Sequence, residues 1–298
     1  IWNKFSGGQG LTTLELSRLG YTIPEAVHLS SKKLGKIDSL ASIILEKKMA
    51  PGFQVLVAKN SKVVFTKSYG YHTDKKKNLV KNTDIYDVAS LTKILGALPL
   101  IMKAQEDNKI SLDNSIMQVL PSFKDSNKDT VTLKEILSHF GRLKPWIPFY
   151  KKTQDSITGE NLNQFYRSKK TPIFSVKVAE KMYLNKYYKD SIYTYIKNAD
   201  QRDVVEYKYS DLGYYMLKEV LETTYQKPLA TLLDEEFYQY LGVNRTTYLP
   251  LLKFDKKEII PTEKDTYYRN QLLHGNVHDM GAAMLGGVGA HAGLFANA

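Results

Sequence analysis

Two residues of this chain could form an activated nucleophile. In Asp87-Val88-Ala89-Ser90-Leu91-Thr92-Lys93-Ile94-Leu95 a serine and a lysine are separated by two residues at the start of an apolar stretch. On a helix, positions three apart share a face, so the Lys93 amine would lie against the Ser90 hydroxyl. A serine hydroxyl is a weak nucleophile by itself, and an adjacent amine that takes its proton is one of the few ways to activate it. A helix start adds free backbone N–H groups and the positive end of the helix dipole, both suited to a developing oxyanion.

The spacing alone is cheap. In a chain so rich in Lys, Ser-x-x-Lys is expected about twice by chance, and it occurs twice, at Ser30/Lys33 and Ser90/Lys93. Ser30-Ser31-Lys32-Lys33 is a polar run that reads as the solvated N-cap of the next helix. Ser90 is instead followed by Leu91, Ile94, Leu95, Leu98, Ile101 and Met102, an apolar stripe at helical spacing. The plain alternative makes Ser90 an N-cap and Lys93 a surface lysine.

A Ser-Lys centre needs a second proton carrier near the leaving group, and a tyrosine can serve where cations favour its phenolate. Tyr183/Asn185, Tyr188/Asp190, Tyr209/Asp211 and Tyr268/Asn270 all match Tyr-x-Asn/Asp. Only Tyr209-Ser210-Asp211 runs straight into an apolar helix, Leu212-Gly213-Tyr214-Tyr215-Met216-Leu217, although Asp211 also suits a simple cap. Three other signals are set aside. His274 and His278 have helical metal-ligand spacing, but Gly275 and Asn276 lie between them and no third ligand is evident. Gly287-Val288-Gly289 lacks the strand and ribose-binding acid of a dinucleotide loop. His139 reads as a helix-end or core histidine. No metal or cofactor is expected.

The elements that must position these residues follow from periodicity. Residues 34–49 have helical spacing until Pro51-Gly52; Phe53–Ala58 and Lys62–Thr66 flank Lys59-Asn60-Ser61 as a hairpin. Thr130–Leu137 is a capped helix, Leu212–Thr224 and Pro228–Leu241 are amphipathic helices, and residues 151–206 are polar and Tyr-rich, an insertion of weak character. Helix, hairpin, loop and Ser-x-x-Lys helix in that order predict an α+β domain rather than βαβ repeats. Residues 1–33 read as a connector from a preceding module, and the start at Ile1-Trp2-Asn3-Lys4, without signal-peptide organisation, reads as a cut inside a longer protein.

Composition bounds the function. The net charge of +11 is spread over small lysine pairs and triplets such as Lys75-Lys76-Lys77, whereas a nucleic-acid binder would concentrate it in a stripe. No nucleic-acid partner is expected, and attraction to an anionic envelope polymer is the softer reading. There is no cysteine, hence no disulfide framework, thiolate zinc site or cysteine nucleophile. No run of 18 apolar residues exists to span a membrane.

Together, Ala89-Ser90-Leu91-Thr92-Lys93 and Tyr209-Ser210-Asp211-Leu212-Gly213-Tyr214 resemble the serine β-lactamase and penicillin-binding-protein superfamily, nearest its class C-like, D-aminopeptidase and esterase branch. Leu133–His139, Pro145–Tyr150, Val277-His278-Asp279 and His291-Ala292-Gly293-Leu294-Phe295 support the likeness, which covers residues 34–298. It looks especially like the β-lactamase-type domain fused behind a bacterial glycoside hydrolase module. The resemblance implies an antiparallel sheet flanked by helices, with 34–89 in the sheet subdomain, and a mainly helical subdomain from 90 to 298. It also implies an acyl-enzyme at Ser90, with Lys93 and Tyr209 as proton carriers, either of which could be the base. Asp211 stands where the family usually has Asn, and would hold Lys93 and the substrate amide. The Ser90 N–H would be half of the oxyanion hole.

The family's third motif, Lys-Thr-Gly or His-x-Gly on a late strand, is expected beyond Ala298, so that the C-terminal strands are missing and this chain alone would be an incomplete, inactive enzyme. His291-Ala292-Gly293 matches His-x-Gly by letter, but the resemblance places it in a loop beside the pocket mouth. His291 is therefore expected at the substrate's edge, with loop packing as the alternative, and Trp146 is expected as a second substrate contact.

The expected function is a serine acyl hydrolase of the bacterial periplasm or cell envelope, acting on a D-Ala-type peptide, a β-lactam or a small ester. The competing expectation is a non-catalytic module that keeps the fold to bind peptidoglycan or dock a neighbour, with Lys93 apart from Ser90. A sugar-binding appendage using Trp146, Phe149 and Tyr150 is weaker, since those aromatics suit a core.

Overall fold

The computed structural model describes residues 19–297, so most of the expected connector, residues 1–18, lies outside the described residues. The chain divides into two units, residues 19–84 and 85–297.

In the first unit β2 (Gly52–Lys59) and β3 (Lys62–Gly70) form the expected hairpin, longer than the apolar runs alone implied. They pair antiparallel in register from Gly52↔Gly70 to Lys59↔Lys62, with a bulge at Val57/Ala58. Asn60 and Ser61 both take positive φ (52° and 57°), the backbone that a two-residue turn needs to match strand twist. β1 (Gly20–Tyr21), within the stretch read as connector, adds to β3 as a short parallel strand. α1 (Lys36–Glu46) is tied to β3 through Asp38, which accepts from Lys67 Nζ (2.7 Å) and Tyr69 Oη (2.6 Å).

The second unit is mixed α and β around one apolar core, as the resemblance implied. β4 (Tyr86–Asp87) pairs antiparallel with β11 (Leu294–Ala296), which also pairs with β8 (Thr247–Tyr248). β4 and the Ser90 segment thus lie in the same unit. The expected regular helix from Ser90 is instead three pieces in series: a 3-10 turn at Ala89–Leu91, a π-helical turn at Lys93–Ala97, and α2 (Leu98–Glu106), with Pro99 in its first turn. Leu100, Ile101 and Ala104 of α2 are buried, but Leu91, Ile94 and Leu95 are exposed. The change of helical pitch thus turns the first part of the apolar stripe out of the core.

α3 (Leu133–Leu137) starts from a capping box in which Thr132 and Glu135 satisfy each other's backbone N–H. α5 (Leu212–Tyr225) is the axis of this core: Leu212 through Lys218 are all buried, on more faces than the amphipathic pattern implied. Gly213 lets α3 approach, since a Cβ there would meet Ile136 Cγ2 at 2.5 Å. Residues 151–206 are ordered: β5 (Tyr166–Arg167), β7 (Met182–Asn185) and β6 (Phe174–Ala179) form an antiparallel sheet, and α4 (Tyr188–Asn198) follows. Tyr166, Leu184, Ile192 and Ile196 from this segment are buried in the core. Its weak appearance came from polar and tyrosine residues between the few inward positions. α6 (Leu229–Leu233) runs into a π turn at Asp234–Tyr238. β9 (Glu263–Asp265) and β10 (Gln271–Leu273) form a hairpin, and α7 (Met280–Met284) precedes β11. No helix of the described residues is long and apolar enough to cross a membrane.

Candidate active site

The β4–β11 pairing sets the frame. Val88 N–H donates to the Leu294 carbonyl (3.0 Å) and Leu294 N–H to Thr92 Oγ1 (3.1 Å), so the 88–93 segment is fixed against residues 291–294. At the strand's end Asp87 turns the chain: Oδ1 accepts from Ala89 N–H (2.8 Å) and Oδ2 from His278 N–H (2.7 Å). Burial raises the Asp87 pKa above the ordinary carboxylate range, and these two N–H groups work against it. Ala89 takes φ 45°, left-handed backbone that costs an L-residue about 1–2 kcal/mol. Ser90 follows on the surface of a cleft of about 440 Å³.

Beneath it, Lys93 is 4% exposed and donates to three oxygens: Ser90 Oγ at 2.9 Å, Asp211 Oδ1 at 2.7 Å and the His291 carbonyl at 3.2 Å. With three hydrogens engaged, a charged lysine has no lone pair with which to take a proton. Loss of the hydrogen facing Ser90 leaves the other two held by Asp211 and His291, so the lone pair points at Ser90 Oγ. The cage thus aims that lone pair at Ser90 Oγ, the geometry that proton exchange with an activated serine would need.

Tyr209 joins this pair from far along the chain: its ring centroid is 4.7 Å from Lys93 Nζ, and that of Tyr214 is 5.3 Å away. Both rings line the cleft with Ser90, Leu91, Ile94 and His139. Burial chiefly pushes the Tyr214 phenol up to about 12, with Tyr209 adding to it, so Tyr214 is a wall rather than a proton carrier. Tyr209 is 41% exposed and is the phenol open to a substrate.

Ser90, Lys93, Tyr209 and Asp211 are thus brought together, whereas the two expected substrate contacts are not. The His291 ring is 1% exposed, stacked on Tyr215 (centroids 4.1 Å apart) and bonded through Nε2 to Asp279 Oδ1 at 2.8 Å. The expectation of a His291 side chain at the substrate's edge is corrected: loop packing seals the ring in, and the residue contributes its carbonyl. Trp146 is 40% exposed in the loop 141–148 and is not part of the cleft wall around Ser90. The His274 and His278 rings, set aside as metal ligands, are engaged elsewhere, His274 Nε2 with the Ile259 carbonyl (2.7 Å) and His278 with Glu263 (2.7 Å). Among the described residues no three His, Asp or Glu side chains cluster as metal ligands.

Two further residues were given no site role from the sequence, although both lie in stretches that support the resemblance. Asp279 anchors His291 and caps α7 through Ala282 N–H (2.7 Å). Burial alone would raise its pKa; the charge and hydrogen bond of His291 outweigh that and pull it down to about 2. His139, read as a core or helix-end residue, stands in the cleft wall with its ring 4.6 Å from that of Tyr209. A more apolar cavity of about 370 Å³ opens elsewhere, among Val176, Val178, Leu249, Leu251, Val277 and Phe295, without a nucleophile–base pair.

With this geometry in place, comparison with known proteins adds the following. Residues 38–298 match the family described as Beta-lactamase. An N-acetylmuramyl-L-alanine amidase of Bacillus subtilis (strain 168) is 27% identical over 302 residues, covering 92% of this chain and 62% of its own length. A protein of Escherichia coli (strain K12), under the provisional name D-alanyl-D-alanine carboxypeptidase, is also 27% identical, covering 92% of this chain and 63% of its own length. The octameric penicillin-binding protein homologue of Pyrococcus abyssi superposes with a TM-score of 0.63 at 19% identity, over 89% of this chain and 53% of that one. The chain thus spans less than two thirds of the length of these proteins.

Proposed function

We propose that this chain, which belongs to the beta-lactamase family, acts as a serine acyl hydrolase of the bacterial cell envelope, cleaving a D-Ala-type peptide, a β-lactam or a small ester through an acyl-enzyme at Ser90. One observation carries the reading: Lys93 Nζ lies 2.9 Å from Ser90 Oγ while its other two hydrogens are held by Asp211 and the His291 carbonyl. Lys93 takes the Ser90 proton as Oγ bonds to the substrate's carbonyl carbon. The Tyr209 phenol gives its proton to the leaving amine or alkoxide as the scissile bond breaks and recovers one from Lys93, and water then releases the acyl group by the same route reversed.

The names of the Bacillus and Escherichia relatives support substrates with D- or L-alanine linkages in the cell wall. The reading as a non-catalytic module expected Lys93 apart from Ser90, and their 2.9 Å contact counts against it. The test is acylation by a fluorescent penicillin and by a fluorophosphonate, in this chain and in the longest natural polypeptide that contains it. A single adduct mapped to Ser90, lost in Ser90→Ala, supports the proposal. Equal labelling of Ser90→Ala, or none of the longest polypeptide, overturns it.

A further inference from the structure

The loop that follows α3 docks the segment carrying Tyr209 at four points. The His139 carbonyl accepts from Lys208 N–H (2.9 Å), His139 Nδ1 from Ser210 N–H (3.2 Å), the Lys144 carbonyl from Ser210 Oγ (2.7 Å) and the Pro145 carbonyl from Asp211 N–H (2.9 Å). Three of these acceptors are backbone carbonyls, whose accepting power does not change with pH. The fourth is an imidazole nitrogen, and its ring packs against Tyr209 at 4.6 Å with a tilt of 39°.

We propose that His139 is the positioning residue for the Tyr209 phenol, and that it holds this segment only as a neutral imidazole with its hydrogen on Nε2. A nitrogen that accepts from Ser210 N–H carries no hydrogen of its own. Protonation would set an Nδ1–H against the Ser210 N–H, and two donors cannot share a 3.2 Å gap. The imidazole would have to swing away, and the Tyr209 ring packed on it would lose its support.

The surroundings favour the neutral form. From the π turn at Lys93–Ala97 the ring faces Lys93; from the docked segment it faces Asp211 and the phenols of Tyr207 and Tyr209; from α5 it faces Tyr214. Burial and then the Lys93 charge depress its pKa, and Asp211 opposes them. His139 itself sits at φ 61°, left-handed backbone, and its carbonyl and ring both meet the 208–210 segment.

The kinetic readout rests on the acyl-hydrolase reading, so a second readout is independent of it. In ¹⁵N-resolved imidazole spectra of the intact chain at pH 7.5, His139 is expected as the Nε2–H tautomer, and the Ser210 amide should lose exchange protection as His139 is protonated. An Nδ1–H tautomer, or Ser210 protection indifferent to that titration, overturns the proposal whether or not the protein acylates. In kinetics, His139→Asn places an amide oxygen where Nδ1 stood but cannot be protonated. His139→Ala should slow Ser90 acylation by about 10²-fold, and Asn should recover most of that loss. Once pH falls below the His139 pKa, which burial and the Lys93 charge hold under the ordinary histidine value, the ratio of wild-type to Asn-variant rates should fall about tenfold per pH unit. A constant ratio overturns the proposal, whereas a wild type that never acylates, even as the longest natural polypeptide, tells against the proposed function and leaves the tautomer to decide this one.

Discussion

Lys93 and Asp211 meet at 2.7 Å across 118 residues of sequence, with the lysine side chain 4% exposed and the aspartate 20%. Removing one partner of a buried pair leaves a charge that water cannot solvate, which costs about 3–5 kcal/mol. Asp211→Ala should therefore lower unfolding free energy by about 3 kcal/mol and also free the amine to rotate, so that its lone pair is no longer aimed at Ser90. Asp211→Asn keeps an oxygen acceptor and should lose less in both. Urea unfolding alongside penicillin labelling reads the two effects, and equal behaviour of Ala and Asn would show that Asp211 does not orient Lys93.

How much of this site could be read in the chain beforehand depended on distance and on which atom acts. Ser90 and Lys93 were legible because they stand only three positions apart, and Tyr209 and Asp211 because they lead into a helix. His139 was not, because its role comes from a loop pairing with a segment 71 residues away. His291 was assigned by its side chain, and periodicity says nothing of where a carbonyl points. In the fold, the hairpin was legible from β-branched runs across a turn. The π turn at Lys93–Ala97 was not, since the stripe Leu91, Ile94, Leu95, Leu98 fits an α-helix equally well, and tertiary contacts such as Leu294 N–H with Thr92 Oγ1 decide the pitch.

The left-handed backbone at Ala89, one residue before the nucleophile, is a local conflict that a glycine would relieve. Ala89→Gly exchanges a steric cost for the larger chain entropy of glycine, and the balance should stabilise the protein by about 0.5–1 kcal/mol. Acylation of Ser90 should slow at the same time, because a glycine hinge holds the hydroxyl less firmly over Lys93. Differential scanning calorimetry with labelling kinetics checks both, and a lower Tm would mean that Ala89 carries no strain.

The Asp279–His291 pair should leave its mark on acid stability. Asp279 has a folded-state pKa of about 2, below its unfolded value of 3.8, with the carboxylate 22% exposed. A depressed carboxylate contributes stability that is fully present above the unfolded value and is lost as pH falls through the folded one. Asp279→Asn keeps an oxygen to cap α7 and removes the charge, so at pH 6 it should cost at most about 2 kcal/mol. That deficit should shrink between pH 4 and pH 2. Denaturant unfolding of both proteins across this range measures it, and a deficit independent of pH would mean that packing, rather than the ion pair, was lost.

Gly281 and Tyr215 test how tightly α7 sits against the axis of the core. A Cβ at position 281 would lie 1.6 Å from Tyr215 Oη, and Tyr215 is fully buried beneath the His291 ring, so the hydroxyl cannot step aside. Gly281→Ala should therefore destabilise by about 3 kcal/mol or displace α7. The Tyr215 hydroxyl itself has no hydrogen-bond partner among the described residues, and a buried polar group left unpaired costs about 1–3 kcal/mol. Tyr215→Phe should then be neutral or stabilising, and in the double variant it should recover much of the loss, since the ring carbon behind the hydroxyl lies at 2.9 Å rather than 1.6 Å. The interaction energy from this double-mutant cycle should be of the rescuing sign and exceed about 1 kcal/mol. Strict additivity would place the strain of Gly281→Ala elsewhere, because only a direct clash between these two residues can be cured by removing one oxygen atom.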